Sequence, residues 1–181
     1  MTHLSSLADI EQIYAERGGQ TYGEDVTQLE HAVQCAALAE ADGASASLIA
    51  AALLHDIGHL FEREDAVAAF THDGRHEVAG ARLLGGLFDE AVCQPIALHV
   101  AAKRYLCLRE PAYHDTLSLA SRQSLALQGG PFDAAEAAAF ERRAYWRDAV
   151  ALRRFDDKGK QDELSARRFA EFLPALHAAA R

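Results

Sequence analysis

The sequence is poor in everything that interrupts helices. Four prolines and twelve glycines are spread over 181 residues, and no segment of any length alternates apolar and polar residues as a half-buried strand does. That excludes a sheet-based architecture. Cysteine is also scarce: Cys35, Cys93 and Cys107 are far apart, odd in number and form no C-x-x-C pair. A disulfide framework and a zinc knuckle are excluded, and a reducing compartment is expected. Basic charge is deficient, with 18 Lys and Arg against 27 Asp and Glu and a formal charge of −9. Such a chain has no cationic surplus to neutralise a phosphate backbone, which excludes a general nucleic-acid binder but not a small anionic substrate held by a few local cations. No uninterrupted apolar span reaches membrane length, and Met1-Thr2-His3-Leu4 lacks a basic region followed by an apolar core. The expectation is a cytoplasmic protein without a membrane or nucleic-acid partner. Oligomeric state is not legible.

What is present is apolar and alanine-rich: half of the residues are hydrophobic, which suits one all-α domain over 1–181 with a substantial core. The chain is organised around Leu53-Leu54-His55-Asp56-Ile57-Gly58-His59-Leu60-Phe61. Ser45 and Ser47 precede the apolar run as N-cap candidates, so residues 47–61 read as one helix. An ionisable pair at the inner end of a helix this apolar needs something to satisfy it. Adjacent helical residues point about 100° apart, so His55 and Asp56 can flank one site, the carboxylate bridging two metals. The plainer alternative is a His-Asp hydrogen bond inside a helix bundle.

The other histidines bear on that choice. A first helix runs from Ser5 or Ser6 to Arg17 and stops at Gly18-Gly19. After a loop containing Tyr22 and Glu24, Thr27 and Glu30 form a capping-box pattern for a helix carrying His31 and Cys35 to Ala41. A polar loop over 62–74 holds His72, an ordinary loop histidine. Residues 75–84 open the next helix with His76, and Asp89 caps another through His99 and Lys103, with Pro95 expected to kink it. Further helices are expected over 117–128, from Asp133 to about Arg143, over 146–160 and over 164–180. In the third of these, Arg153, Asp156 and Lys160 share one face, which by itself is a solvated salt-bridge ladder.

The candidate ligands are His31, His55, Asp56, His76, His99 and one of Asp156 or Asp157, on five expected helices. Four imidazoles with two carboxylates suit a pair of borderline transition metals better than magnesium or calcium. The order H…HD…H…H…D resembles the HD-domain superfamily of helical metalloproteins. Within it the pattern is most similar to the mixed-valence di-iron oxygenases, the branch of myo-inositol oxygenase and the dioxygenases that cleave 1-hydroxyphosphonates such as 2-amino-1-hydroxyethylphosphonate. The phosphonate side is favoured by His55-Asp56-Ile57-Gly58-His59, where inositol oxygenase has lysine in place of His59. Gln28-Leu29-Glu30-His31 after Tyr22-Gly23-Glu24, and Lys103-Arg104-Tyr105-Leu106 after His99, resemble the same enzymes. So do the runs over 121–132 and 152–160. HD alone is a weak signal; the ordered set, covering residues 22–160, is specific.

The resemblance implies an all-α HD-domain bundle with a dinuclear metal site at its centre. One iron would take His31, His55 and Asp156, the other His76 and His99, with Asp56 bridging. It implies that His59, Lys103, Ser121, Ser124, Arg153 and Lys160 hold the phosphonate oxygens or the reacting hydroxyl, and that Tyr22 and Glu24 form a gate, Glu24 meeting a substrate amine. The implied cofactors are two iron ions as Fe(II)/Fe(III), with O2 as co-substrate. The implied reaction is oxidative C–P cleavage of a 1-hydroxyphosphonate, with an amino or trimethylammonium substituent, to phosphate and a carboxylic acid.

The rival is an HD-type phosphohydrolase, using the same metal site to activate water against a phosphate ester; fold alone does not separate the two. A metal-free HD scaffold would lack ligands, and none is missing. His3, His114 and His177 fit no pattern and read as surface, Trp146 and Phe155 as core, and the cysteines as structural.

Overall fold

The computed structural model describes residues 4–21, 25–61, 75–160 and 167–181. Among these lie α1 (Leu7–Arg17), α2 (Gln28–Ala41), α3 (Ala46–Leu54), α4 (His76–Leu84) and α5 (Glu90–Arg109), then α6 (Tyr113–Thr116), α7 (Leu119–Leu127), α8 (Ala134–Phe140), α9 (Trp146–Lys158) and α10 (Leu173–Ala179). The only β pairing among the described residues is an isolated bridge between Phe88 and Ala180. The expected all-α architecture holds. No described helix is long and apolar enough to cross a membrane.

Local chemistry sets most of the ends. Ser6 and Thr27 close reciprocal capping boxes with Asp9 and Glu30, satisfying donors that a helix start otherwise leaves open. Asp133 does the same with Glu136. Ser45 caps α3 and Ser118 caps α7 through their hydroxyls. Gly129 and Gly130 follow α7 with φ of 94° and 72°, a left-handed pair that side-chain-bearing residues resist.

α3 is the hub. Leu48 through Leu54 are all buried, with α2, α5, α9 and α10 packed around them. Burying a leucine or isoleucine contributes about 1.5–3 kcal/mol, so a helix apolar on every face stays only if neighbours cover every face.

Five expectations need correction. The single helix over 47–61 breaks: α3 ends at Leu54, His55 is its C-cap, and Ile57–Phe61 is a 3-10 helix. In the turn after the break, Gly58 packs directly on the backbone of His76, where a Cβ would overlap its carbonyl. Ser47 lies inside α3 and Ser45 is the cap. The last helix divides too, into a 3-10 turn at Phe169–Phe172 and α10, because Pro174 lacks an N–H and is tolerated only in a first turn. α8 stops at Phe140, short of Arg143, and α7 begins at Leu119 after the separate turn α6. Of the two readings of the face shared by Arg153, Asp156 and Lys160, the solvated ladder falls, because Arg153 and Asp156 are 3% and 4% exposed.

Candidate metal centre and anion pocket

Four helix ends and one helix middle converge beneath α3. His31 comes from the first turn of α2, His55 from the end of α3, His76 from the first residue of α4, His99 from the middle of α5 and Asp156 from the last turn of α9. Asp56, in the turn after α3, lies between them.

The atoms form two groups sharing one carboxylate. On one side His31 Nε2 stands 3.2 Å from His55 Nε2 and 3.4 Å from Asp156 Oδ1, and Asp56 Oδ2 lies 3.7 and 3.5 Å from the two imidazole nitrogens. On the other side His76 Nε2 stands 3.3 Å from His99 Nε2. Asp56 Oδ1 lies 3.4 and 3.7 Å from that pair. Each oxygen of Asp56 therefore belongs to a different pair of histidines.

The hydrogen bonds show what this arrangement fits. His31 Nδ1 lies 2.7 Å from the Gly159 carbonyl, His55 Nδ1 3.0 Å from that of Ala52, and His99 Nδ1 2.8 Å from that of Ile96. A carbonyl only accepts, so each Nδ1 carries a proton and Nε2 of a neutral ring presents a lone pair. At the His76 and His99 pair, and wherever His31 gives up its Nε2 proton, lone pairs then face lone pairs and carboxylate oxygens across little more than 3 Å. A cation in each group resolves the repulsion, and backbone acceptors behind the rings are the usual support for ligating histidines.

Protonation agrees for two of the rings. Burial keeps His55 and His99 below the ordinary imidazole range, most strongly His99, to which His55 and His76 add. His31 departs from them: against burial, the neighbouring Cys35 and Asp156 raise it well above that range, so a metal there would have to displace its proton. Burial pushes Asp56 upward, but His55, His76 and His59 outweigh it and hold the carboxyl well below its usual range. Asp156 is likewise held low against burial by Arg153 and Lys160. Neutral imidazoles with ionised carboxylates are the states that bind metal.

Beside the centre a cavity opens, lined by His59, Lys103, Ser121, Gln128, Arg153 and Lys160 with faces of His31, Asp56, His76, His99 and Asp156. Lys103 Nζ donates to Ser124 Oγ at 2.7 Å, and Lys160 Nζ and Arg153 Nη2 both donate to Ser121 Oγ, at 3.1 and 3.3 Å. His59 stacks on His76 with ring centroids 3.8 Å apart. Burial, then the neighbouring Arg153, brings Lys103 down from 10.5 to about 7. Three cations around one hydroxyl-lined space make a site for a compact dianion.

The chain matches the HD domain family model over residues 29–127, which takes in His31, His55, Asp56, His76 and His99. The chain belongs to the HD-domain family. This HD-domain chain is 41% identical over 171 residues to the [1-hydroxy-2-(trimethylamino)ethyl]phosphonate dioxygenase (glycine-betaine-forming) of Leisingera caerulea, covering 91% of this chain and 85% of that protein. It is 45% identical over 159 residues to the hydroxymethylphosphonate dioxygenase of Gimesia maris, covering 87% and 78%. An uncharacterized protein of Acanthamoeba polyphaga mimivirus is 38% identical over 161 residues, covering 87% and 74%.

The structure thus brings together all six candidate ligands and, next to them, His59, Lys103, Ser121, Ser124, Arg153 and Lys160. Tyr22 and Glu24 lie outside the described residues, as do His3 and His72. His114 and His177 are exposed. Between the two neighbouring aspartates, it is Asp156 that meets the imidazoles, while Asp157 turns to Arg153 and Tyr113. Sequence reasoning passed over Gln128, whose buried Oε1 has no hydrogen-bond partner among the described residues, although the segment quoted for the resemblance contains it. It also passed over Tyr113, whose hydroxyl accepts from Arg153 Nε at 3.1 Å. No local pattern marks Tyr113, because it acts through a residue 40 positions away.

Proposed function

We propose that this chain is a di-iron dioxygenase that cleaves the carbon–phosphorus bond of a 1-hydroxyphosphonate with O2, releasing phosphate and a carboxylic acid. The observation that carries the reading is the continuity of the two-group ligand cluster with a cationic, hydroxyl-lined cavity, in a chain whose named relatives are phosphonate dioxygenases. In this reading His31, His55 and Asp156 would hold one iron and His76 and His99 the other, with Asp56 offering one oxygen to each group. Four nitrogen donors with carboxylates suit iron rather than magnesium or calcium. When bound, the metal pair supplies Lewis acidity and the redox chemistry with O2.

The protein supplies the rest. Lys103, Lys160 and Arg153 neutralise the phosphonate, and Ser121, already accepting from both Lys160 and Arg153, presents its hydroxyl to one oxygen. His59, lying flat on His76, borders the space for the C1 substituent and hydroxyl. The stoichiometry closes without an external reductant: oxidising C1 from the alcohol level to a carboxylate with loss of phosphorus releases four electrons, which one O2 accepts. A cytoplasmic location, where Cys35, Cys93 and Cys107 stay as thiols, is part of the same reading, as are a gate at Tyr22 and Glu24 and a partner list limited to the small substrate.

The test is an oxygen-electrode trace on iron-reconstituted protein with phosphate assayed in parallel, adding 2-amino-1-hydroxyethylphosphonate, its trimethylammonium analogue and hydroxymethylphosphonate. Oxygen uptake matched one-to-one by phosphate supports the reading and ranks the substrates. Phosphate release from a simple phosphate ester, with no uptake on any phosphonate, would transfer the chain to the hydrolases.

A further inference from the structure

Three imidazoles of the cluster have a proton acceptor behind them, but the acceptors differ in origin. His55 and His99 use carbonyls three residues back on their own helices, Ala52 and Ile96, so folding of each helix supplies them automatically. His31 uses the carbonyl of Gly159, 128 residues away at the C-cap of α9. The orientation of His31 therefore depends on how closely the end of α9 approaches α2. The tightest limit on that approach is a side-chain sulfur, with two backbone atoms, the Phe155 carbonyl at 3.2 Å and Cys35 N, standing farther from a Cβ at 159. A Cβ on Gly159 would lie 2.5 Å from Cys35 Sγ and 3.3 Å from Cys35 N. Cys35, one turn after His31, is fully buried; its sulfur lies 3.7 Å from His31 Nδ1 and donates to the Phe155 carbonyl at 3.6 Å.

We infer that Gly159 and Cys35 are a size-matched pair of positioning residues. The missing side chain at 159 leaves room for the sulfur at 35, the sulfur packs the face of His31, and the carbonyl of 159 locks that ring with Nε2 aimed into the metal group. The same helix end carries Asp156 on the turn before and Lys160 directly after. A displacement confined to the C-terminal end of α9 therefore shifts His31, Asp156 and Lys160 together, while His76 stands on α4, away from that end. The predicted phenotype is half-site loss. The inference rests on reading His31 as a metal ligand, and its test is independent of substrate and oxygen.

The experiment is a double-mutant cycle of Gly159→Ala and Cys35→Ala, with metal affinity and stoichiometry measured by anaerobic Fe(II) titration of the apoprotein and elemental analysis. Imidazole nitrogen NMR of the apoprotein reports the His31 tautomer. Gly159→Ala is expected to weaken one of two metal equivalents by roughly 10–100-fold, the scale found when outer-shell partners of ligands are lost, and to shift the His31 Nδ1 signal. In the double variant, where the sulfur is gone, affinity for that equivalent and the wild-type His31 signal return. Two equivalents of undiminished affinity in Gly159→Ala would overturn the inference, as would a double variant no better than Gly159→Ala. Equal weakening of both equivalents would show a general structural effect and overturn it too. Wild-type protein that binds no metal would remove the metal reading itself, and this inference with it.

Discussion

Arg153 grips Asp156 from behind, its Nη1 2.6 Å from Oδ2, while the other oxygen of the same carboxylate faces His31 at 3.4 Å and Lys160 at 3.4 Å. Arg153 is also paired with Asp157, and Asp157 accepts from the Tyr113 hydroxyl. Two neighbouring carboxylates thus share one guanidinium but have opposite outlooks, one toward the ligand cluster and one away from it.

The pair Asp156→Asn and Asp157→Asn tests that division. Asp156→Asn removes an anionic donor and should lower the affinity of one metal equivalent at least tenfold, with activity falling in proportion. Asp157→Asn should keep both equivalents and instead raise KM for the phosphonate several-fold, because Arg153 loses the partner that orients it. Metal analysis beside steady-state kinetics reads both. Loss of metal in the second variant alone would reverse the assignment.

Lys103 gives a pH dependence with a definite sign. Burial and then Arg153 lower it from 10.5 to about 7, and a dianion binds only the ammonium form. Below pH 7 the ammonium predominates and affinity is independent of this group. Above pH 7 each further unit leaves about ten times less ammonium, so affinity falls about tenfold per unit. Ionisation of the phosphonate itself works in the opposite direction, and Lys103→Arg isolates the lysine, since a guanidinium stays charged throughout. Phosphonate affinity measured from pH 6 to 9 by anaerobic calorimetry should show the decline in wild type relative to Lys103→Arg. Parallel profiles would disprove it.

Much of this site was legible in the chain and some was not, for physical reasons. Candidate ligands such as His31, His55 and His99 announce themselves because an imidazole inside an apolar helical stripe needs a compensating partner. The capping boxes at Thr27 and Asp133 are local, and so are readable. The break after Leu54 was not, and it is accompanied by a backbone contact between Gly58 and a helix starting eighteen residues later, which no local pattern reveals. Nor was the burial of Arg153, since its spacing from Asp156 and Lys160 is the same in a surface ladder as in a buried network. Only tertiary packing separates those two cases.

Asp56 should behave unlike any other ligand. Because Oδ2 serves the His31 and His55 side and Oδ1 the His76 and His99 side, removing it damages both groups at once. Asp56→Ala is expected to bind both equivalents at least tenfold more weakly and to lose more than 10³-fold in activity, whereas His99→Ala should spare the equivalent at His31. Titrations of the two variants side by side would separate a shared carboxylate from two independent sites. A variant at Asp56 that retained one equivalent at full affinity would argue against the bridge.

Gly58 holds the turn that follows the ligand pair against α4. A Cβ there would overlap the His76 carbonyl, and across the same contact a Cβ on Gly80 would stand 3.2 Å from Ile57 Cγ2 and 3.3 Å from Gly58 N. Backbone meets backbone here, so neither side can yield as a flexible side chain would. Gly58→Ala must push α4 outward, and overpacking of this kind costs about 1–3 kcal/mol, a fall in melting temperature on the order of 5 °C for a chain of this size. The displaced residue is His76, the first of α4, so the weakened metal equivalent should be the one opposite to that lost in Asp156→Asn. Combining Gly58→Ala with Asp156→Asn should then abolish both, whereas combining it with His76→Ala should add little further loss of metal. If the two defects fell on the same equivalent, the division of the cluster into two halves would be wrong.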